Sequence, residues 1–362
     1  MSITARIRAR AGGLGFDLVG IAPAVTPAGV THFRDWVERG FAGEMDYMRR
    51  HAAAREHPRH VLDGVRSIVM VAMNYRTVEP GPVEPLDGRI SRYAWGDDYH
   101  VILRERIKQL GDFLHDELPG CRTRAVVDTA PLLERDFAQF AGLGWIGKNT
   151  MLINKRLGSW LFLGALLTDA ELDYDEPHVA DHCGTCTRCL DACPTQAFVG
   201  PHQLDSRRCI SYLTIELRGP IPEDLRPDVG NWLFGCDVCQ EVCPWNTKAP
   251  ASDEPGFQPA EPNGAVNLST LAQFSDSELD AFVHGTTLTR TRAAGLRRNA
   301  AVVLGNCEAP EAATALASLL HDSSPVVRDA ARWAVQCVPT DCPPTNPCSQ
   351  RCGTEPNLSS QL

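Results

Sequence analysis

The sequence predicts a multi-domain α+β protein: an N-terminal mixed α/β unit, a ferredoxin-like cysteine module and a C-terminal α-helical unit of HEAT-like repeats. Three observations carry that reading. Strand-like and helix-like segments alternate over the first ~175 residues. Cysteine, proline and glycine then displace hydrophobic periodicity up to about residue 250. Helical spacing alone follows the proline-rich KAPASDEPGFQPAEPNG. The units are accordingly 1–175, 176–250, a linker at 251–264, and 265–338, with a polar, disordered tail at 339–362.

MSITARIRARAGGLGF opens the chain as a small amphipathic helix. SIVMVAMNY from Ser67 and RAVVDT from Arg124 read as short buried strands, because Val and Ile pack well on a pleated surface. Between them, Ile102, Ile107, Leu110 and Leu114 fall at helical spacing in YHVILRERIKQLGDFLHDEL. APLLERDFAQFAGLG is a second helix, starting near Pro131 and ended by Gly142 and Gly144. TMLIN and SWLFLGALLT flank a Lys-Arg-Leu-Gly turn and read as a hairpin. In the last unit Ser275 and Glu278 make a capping box. Leu296, Ala300, Val303 and Leu304 share one helix face. EAATALASLLHD is the next helix, and Ser324-Pro325 opens a final one as N-cap and first-turn proline. Paired short helices of this kind fit HEAT-type repeats.

Composition narrows the function classes. With 43% hydrophobic and 22% charged residues in 362, the chain is ordinary globular material. It shows no long uncharged apolar run and no apolar stretch after its N-terminal arginines, so neither a membrane span nor an export signal is expected, and the protein is read as cytoplasmic. A net charge of −10 argues against indiscriminate nucleic-acid binding. Charge is nevertheless uneven. TDAELDYDEPHVAD holds six carboxylates, whereas Ala281 to Cys307 holds four arginines and no acid.

Fourteen cysteines in a chain without a leader point to metal ligation rather than disulfides. Cys183, Cys186, Cys189 and Cys193 stand at the C-x₂-C-x₂-C-x₃-C-P spacing of two-cluster ferredoxins, which sends the fourth thiolate to the other cluster. Cys236, Cys239 and Cys243, before Pro244, supply three of the reciprocal set, and Cys209 is the remaining candidate between the runs. The expected ligand sets for two [4Fe-4S] clusters are Cys183, Cys186, Cys189 and Cys243, and Cys193, Cys209, Cys236 and Cys239. Zinc needs only paired C-x₂-C, so the third cysteine and the Cys-Pro favour iron–sulfur. Cys121 and Cys307 read as ordinary thiols. Cys337, Cys342, Cys348 and Cys352 form either a further metal site or an irregular tail.

With these motifs placed, residues 5 to 336 resemble the epoxyqueuosine reductases, through ISRYAWGDDYH, VVDTAPLLERDFAQFAGLGWIGKNT, GSWLFLGALLTD, both cysteine runs, CISYLTIELRGPIP and GNWLFGCDVCQEVCPWN. The resemblance implies reduction of epoxyqueuosine to queuosine at the tRNA wobble position. It also implies a cobalamin between the α/β unit and the clusters, reduced through them to a nucleophilic Co(I) state. Asp128 in VVDTAP matches the acid that protonates the leaving oxygen, and burial would raise its pKa for that task. Read alone, Asp128 or Thr129 equally caps the following helix. The same resemblance places Arg59, Tyr99, His100, Lys148, Asn149, Ser211, Tyr212, Trp245 and Asn246 on the cofactor side, and has Gly144 and Gly147 admit a flat ring. Trp245 could instead shield a cluster from water. Arg290, Arg292, Arg297 and Arg298 match a tRNA-contacting region, or else form a solvated helix face. A flavodoxin or ferredoxin donor, an anticodon stem-loop partner and a monomeric state complete what the resemblance implies.

Two other classes share parts of this pattern. A corrinoid-dependent small-molecule reductase of the dehalogenase type is expected to carry an export signal and no helical tail. A ferredoxin-type electron carrier needs no α/β unit ahead of its clusters.

Overall fold

The computed structural model describes residues 1–260 and 264–338. Its first sheet is antiparallel, in the order Leu18–Pro23, Ser67–Asn74, Leu161–Thr168, Thr123–Val126. Every residue of Ser67–Asn74 is buried, so the strand must be covered on both faces. Alternate side chains do this. Val69, Val71 and Met73 pack with Ile7 of the Ile3–Gly13 helix and with Leu103, Ile107 and Leu110 of the Tyr99–Glu117 helix. Ile68, Met70 and Ala72 face Phe137 and Ala138 of the Glu134–Phe140 helix.

Two local expectations fail here. SWLFLGALLT does not pair with TMLIN. Leu161–Thr168 runs its whole length against Ser67–Asn74, while Leu152–Ile153 pairs with Trp145–Ile146. Only an isolated bridge, Asn154 to Gly158, closes the Lys-Arg-Leu-Gly turn. A strand buried on both faces belongs in the sheet centre, and that tertiary demand overrides the nearer partner. The second failure is the helix near Pro131. It begins at Glu134, and its N-cap position, Leu133, has no side-chain cap bond. Neither Asp128 nor Thr129 caps it. Gly142, at φ +73°, does end it.

A second sheet ties the chain's three segments together. Its central strand, Asp87–Ile90, is flanked by Trp232–Phe234 from the cysteine region and by Ala265–Asn267 beyond the prolines. The described part of the intervening stretch, up to residue 260, packs on the first segment rather than hanging free. Phe257 is buried edge-on against Phe162, and the Asp97 N–H donates to the Gly256 carbonyl. Gly96 is required there, since a Cβ would lie 2.2 Å from that oxygen.

The C-terminal helices Arg292–Asn306, Ala312–Leu319 and Pro325–Cys337 bury Leu296, Ala300, Val303 and Leu304 as read, in a core shared with Leu213 and Phe234. The Ser275–Glu278 capping box forms, whereas Ser324 sits at its N-cap position without a side-chain bond. Two of the arginines are turned into the protein rather than toward solvent. Arg298 is 1% exposed, and its guanidinium donates to the carbonyls of Leu213, Leu217 and Gly219. Arg297 is mostly buried, bonded to Asp276 and the Phe274 carbonyl. Acids absent from the local sequence arrive from other elements. Cys342, Cys348, Cys352 and the expected tail lie outside the described residues. No described helix is long and apolar enough to cross a membrane.

Arg298 therefore belongs to the fold. Arg298→Met should destabilise the protein by at least about 2 kcal/mol, because one buried and two half-buried carbonyls lose a charged donor. Chemical denaturation of the anaerobic protein checks this, and a change within ~0.5 kcal/mol would show the carbonyls satisfied without it.

Candidate active site

An open cleft of about 460 Å³ lies where the three segments meet, with Tyr93 and Tyr99 from the first, Cys209 and Ser211 from the second and Arg290 from the third in its walls. Asp98 builds one wall. Its carboxylate accepts from the His100 N–H and caps the Tyr99–Glu117 helix, which fixes both first-turn side chains. The Tyr99 ring lies flat between Phe162, at 4.1 Å, and His100, at 4.0 Å.

Both side chains reach one oxygen. The Tyr99 hydroxyl donates to Asp128 Oδ2 at 3.3 Å, and His100 Nε2 stands 3.4 Å from the same atom. His100 Nδ1 is 2.7 Å from Asp98 Oδ1, so the imidazole bridges two carboxylates. Asp128 occupies a tight turn at φ +55°, closed by the Thr129 N–H on the Val127 carbonyl. A non-glycine residue in this region is strained and must be held by its surroundings. The Asp128 N–H does so by donating to Glu134 Oε1 at 2.7 Å.

The two carboxyls titrate in opposite directions. The His100 hydrogen bond, outweighing burial, holds Asp128 below its ordinary value, and its side chain remains 65% exposed. Burial lifts Glu134 to about 8, with the Asp128 charge adding to the rise. Burial works against the His100 cation, yet the bonds to Asp128 and Asp98 prevail and leave it raised. Asp128 alone is thus not the elevated acid expected from its sequence position. Near neutrality Glu134 keeps its proton, and His100 holds its own more tightly than a free imidazole.

The eight motif thiols interact electrostatically in two sets. Burial raises Cys189 to about 11, with Cys243, Cys183 and Cys186 adding to it. Cys243 in turn feels Cys183 and Cys186. In the other set Cys236 feels Cys209 and Cys239, and Cys209 feels Cys193. Cys239 responds to Cys209 and Cys193, and also to Cys189 across the divide. Among the described residues no group of three or more His, Cys, Asp and Glu is gathered for a single metal ion.

Residues 182–246 match the family model described as a 4Fe-4S double cluster binding domain, and 55–129 match that of epoxyqueuosine reductase QueG, DUF1730. The epoxyqueuosine reductase of Xanthomonas campestris is 42% identical over 337 residues, covering 91% of this chain and 95% of that one. The chain belongs to the epoxyqueuosine reductase family. The Pseudomonas aeruginosa member is likewise 42% identical, over 89% of this chain and 91% of its own. A crystal structure of epoxyqueuosine reductase with a tRNA-Tyr epoxyqueuosine-modified stem loop superposes with a TM-score of 0.85, at 32% identity over 92% of this chain and 89% of that one. The Streptococcus thermophilus enzyme gives 0.84 at 27% identity, over 94% and 92%. This epoxyqueuosine reductase relative is therefore an oxidoreductase with a 4Fe-4S-binding domain.

The residues singled out from sequence fall in different places. Tyr99, His100, Ser211, Tyr212 and Arg290 line the cleft, and Asp128 stands behind Tyr99. Lys148 and Asn149 do not face it. The Lys148 ammonium donates to the carbonyls of Gly184 and Cys186, and the Asn149 amide to that of Cys239. Asn246 is buried between Ser159 and the Gln240 carbonyl. Trp245 packs edge-on against Trp145, in the small cluster that also holds Cys243 and Cys183. Gly144 and Gly147 make room for Ile153 of their own hairpin rather than for a ring. Arg59 is exposed on the Pro58–His60 turn, outside the cleft lining, and Arg292 is exposed too. Sequence reasoning missed Glu134 and Asp98, which sit inside the quoted motifs, and Arg55, which feels the charges of Asp128 and Glu134. No spacing signals Arg55.

Glu134 leaves a measurable trace. Its ordinary value is 4.5 and its folded value about 8, so between them the folded chain binds the extra proton and stability falls as pH rises. Glu134→Gln removes this titration. Thermal unfolding midpoints between about pH 5 and 8 should decline less steeply in the variant than in the wild type. Parallel curves would mean that Glu134 is not held protonated.

Proposed function

We propose that the protein reduces epoxyqueuosine to queuosine at the wobble position of tRNA, using a cobalamin in the cleft and two [4Fe-4S] clusters in the cysteine module. The observation that carries this reading is Asp128, bonded by Tyr99 and His100 beside a cleft whose wall includes a cluster-motif cysteine, Cys209. The two thiol sets support two clusters, since their members group as reciprocal ligation requires. The cleft fits a flat macrocycle through its tyrosine and small hydroxyl lining. Tyr93, Tyr99, Ser211 and Tyr212 would hold the cofactor there. Cobalamin, when bound, would supply the low-valent cobalt chemistry of epoxide reduction.

Opening an epoxide to an alkene takes two electrons and two protons and releases water. Asp128 and His100 share a hydrogen bond at the place where the oxygen must be protonated, so the pair would deliver the first proton and His100 would restore it. Tyr99, fixed by stacking, keeps the carboxylate aimed. Cys209 brings the cluster module to the cleft, and a flavodoxin or ferredoxin would serve as donor. Acting on tRNA, the enzyme works in the cytoplasm.

An anticodon stem-loop would approach over a basic rim. Arg290 stands at the cleft, paired with Glu216 and over the Tyr47 ring, while Arg292 is exposed on the helical, HEAT-like unit. Arg49 and Arg50 are exposed on the Asp46–Arg50 helix, whose Tyr47 ring Arg290 covers, and Arg55 follows on the next turn. In a chain of net charge −10 such a rim is a local feature, suited to phosphates.

Two results would test this. Asp128→Asn should retain about eight irons per chain and lose roughly 10²–10⁴-fold in turnover of an epoxyqueuosine stem-loop. More than a third of the wild-type rate, with chemistry limiting, would remove Asp128 from proton delivery. Neutralising Arg49, Arg50 and Arg292 should lower the slope of log K against log salt by about 0.7–0.9 for each phosphate no longer neutralised. An unchanged slope would place the RNA elsewhere.

A further inference from the structure

Trp145 is 1% exposed, and its indole Nε1 has no hydrogen-bond partner. Nor have the buried Nε2 atoms of His178 and His182. All three rings belong to one nest. His178 stacks on Trp145 at 5.6 Å, His182 meets it edge-on at 4.8 Å, and Trp245 closes the side at 5.0 Å. The Trp145 indole N–H can only donate, and a buried donor without an acceptor is rare in folded proteins, so it points to an acceptor that is not a protein atom.

The neighbours say what it is. Trp145 packs with Cys243 and, at the edge, Cys183, two members of one thiol set. Its position is rigid, because Trp145–Ile146 pairs with Leu152–Ile153 and Gly144 allows the close approach of the Ile153 carbonyl. An indole N–H can only donate, and sulfur is the acceptor at hand.

We infer that Trp145, with His182 protonated at Nε2, forms a hydrogen-bond shell around the sulfurs of the cluster held by Cys183, Cys186, Cys189 and Cys243, and raises its reduction potential. Reduction adds negative charge to the cluster, so donors to its sulfurs stabilise the reduced state more than the oxidised one. The effect is expected at this cluster, since the motif thiols packed in the nest are Cys243 and Cys183. The inference rests on the two-cluster reading proposed above.

The test is a redox titration of the full-length, anaerobically loaded protein, followed by EPR without cobalamin or RNA. Trp145→Phe keeps the ring and removes the donor. It should retain about eight irons and move the midpoint of one cluster, and one only, to a more negative potential. His182→Phe should move the same midpoint in the same direction. A second measurement needs no variant to stay intact: with ¹⁵N-indole tryptophan in the wild-type protein, pulsed EPR of the reduced cluster should show coupling to an indole nitrogen. Midpoints unchanged with both clusters intact, or no nitrogen coupling, would overturn the shell while leaving the two-cluster reading standing. Protein that takes up no iron–sulfur cluster would overturn that reading, and this inference with it.

Discussion

A segment whose side chains must converge on metal cannot also converge on one another. The 4Fe-4S-binding region is therefore fixed from outside, chiefly by buried polar groups. Lys148 holds the Gly184–Cys186 loop by its carbonyls, and Asn149 holds Cys239. Gln240 and Asn246 both close on Ser159 of the first segment. From the C-terminal side Asn299 binds the carbonyls of Thr214 and Leu233, and Arg298 those of the turn after Leu213. Each bond is directional, so together they set the position of the thiols in a way that apolar packing alone would not. The shared sheet has the same logic. One strand from each segment pairs through Asp87–Ile90, so no segment can shift without breaking a ladder.

The same dependence governs the acid site. Asp128 lies on a strained turn that has no regular element to fix it, and its orientation comes from Glu134 behind and from Tyr99 and His100 in front. Two carboxyls a few residues apart then acquire opposite tendencies. The one with the imidazole partner is held ionised, and the buried one keeps its proton. Environments that drive neighbouring acids apart are the usual basis for assigning proton-transfer roles.

What was legible in the sequence was local. The cysteine spacing, the Ser67–Asn74 strand, the Tyr99–Glu117 helix and the Ser275 capping box are each specified within about twenty residues, and each appears. Asp128 was found through its motif, but its titration was not, because the deciding partner His100 is 28 residues away. The hairpin after Asn154 failed because burial on two faces chose a distant partner. The arginines failed in the same way. A stretch without acids looked like a free cationic face, yet Asp276 and three backbone carbonyls from before residue 220 had claimed Arg297 and Arg298. Lys148 and Asn149 were correctly singled out as special and wrongly aimed, since a turn that must grip the cysteine loops and one that must touch a cofactor look alike in sequence.

The order of neighbours along the thiols gives the molecule a direction. Cys183 and Cys243 lie in the Trp145 nest, Cys239 responds to Cys189 across the two sets, and Cys209 stands in the cleft wall. Under the two-cluster reading, an electron entering at the nest would pass from the first cluster to the second and leave beside the cleft. Trp145 and Trp245 pack edge-on at that end. At the exit end, Asp128, Tyr99 and His100 hold a proton close to where the electron arrives. Epoxide reduction needs charge and proton together, and a fold that meets the two at one cleft, one through thiolates and one through a bridged imidazole, separates their routes until they are required.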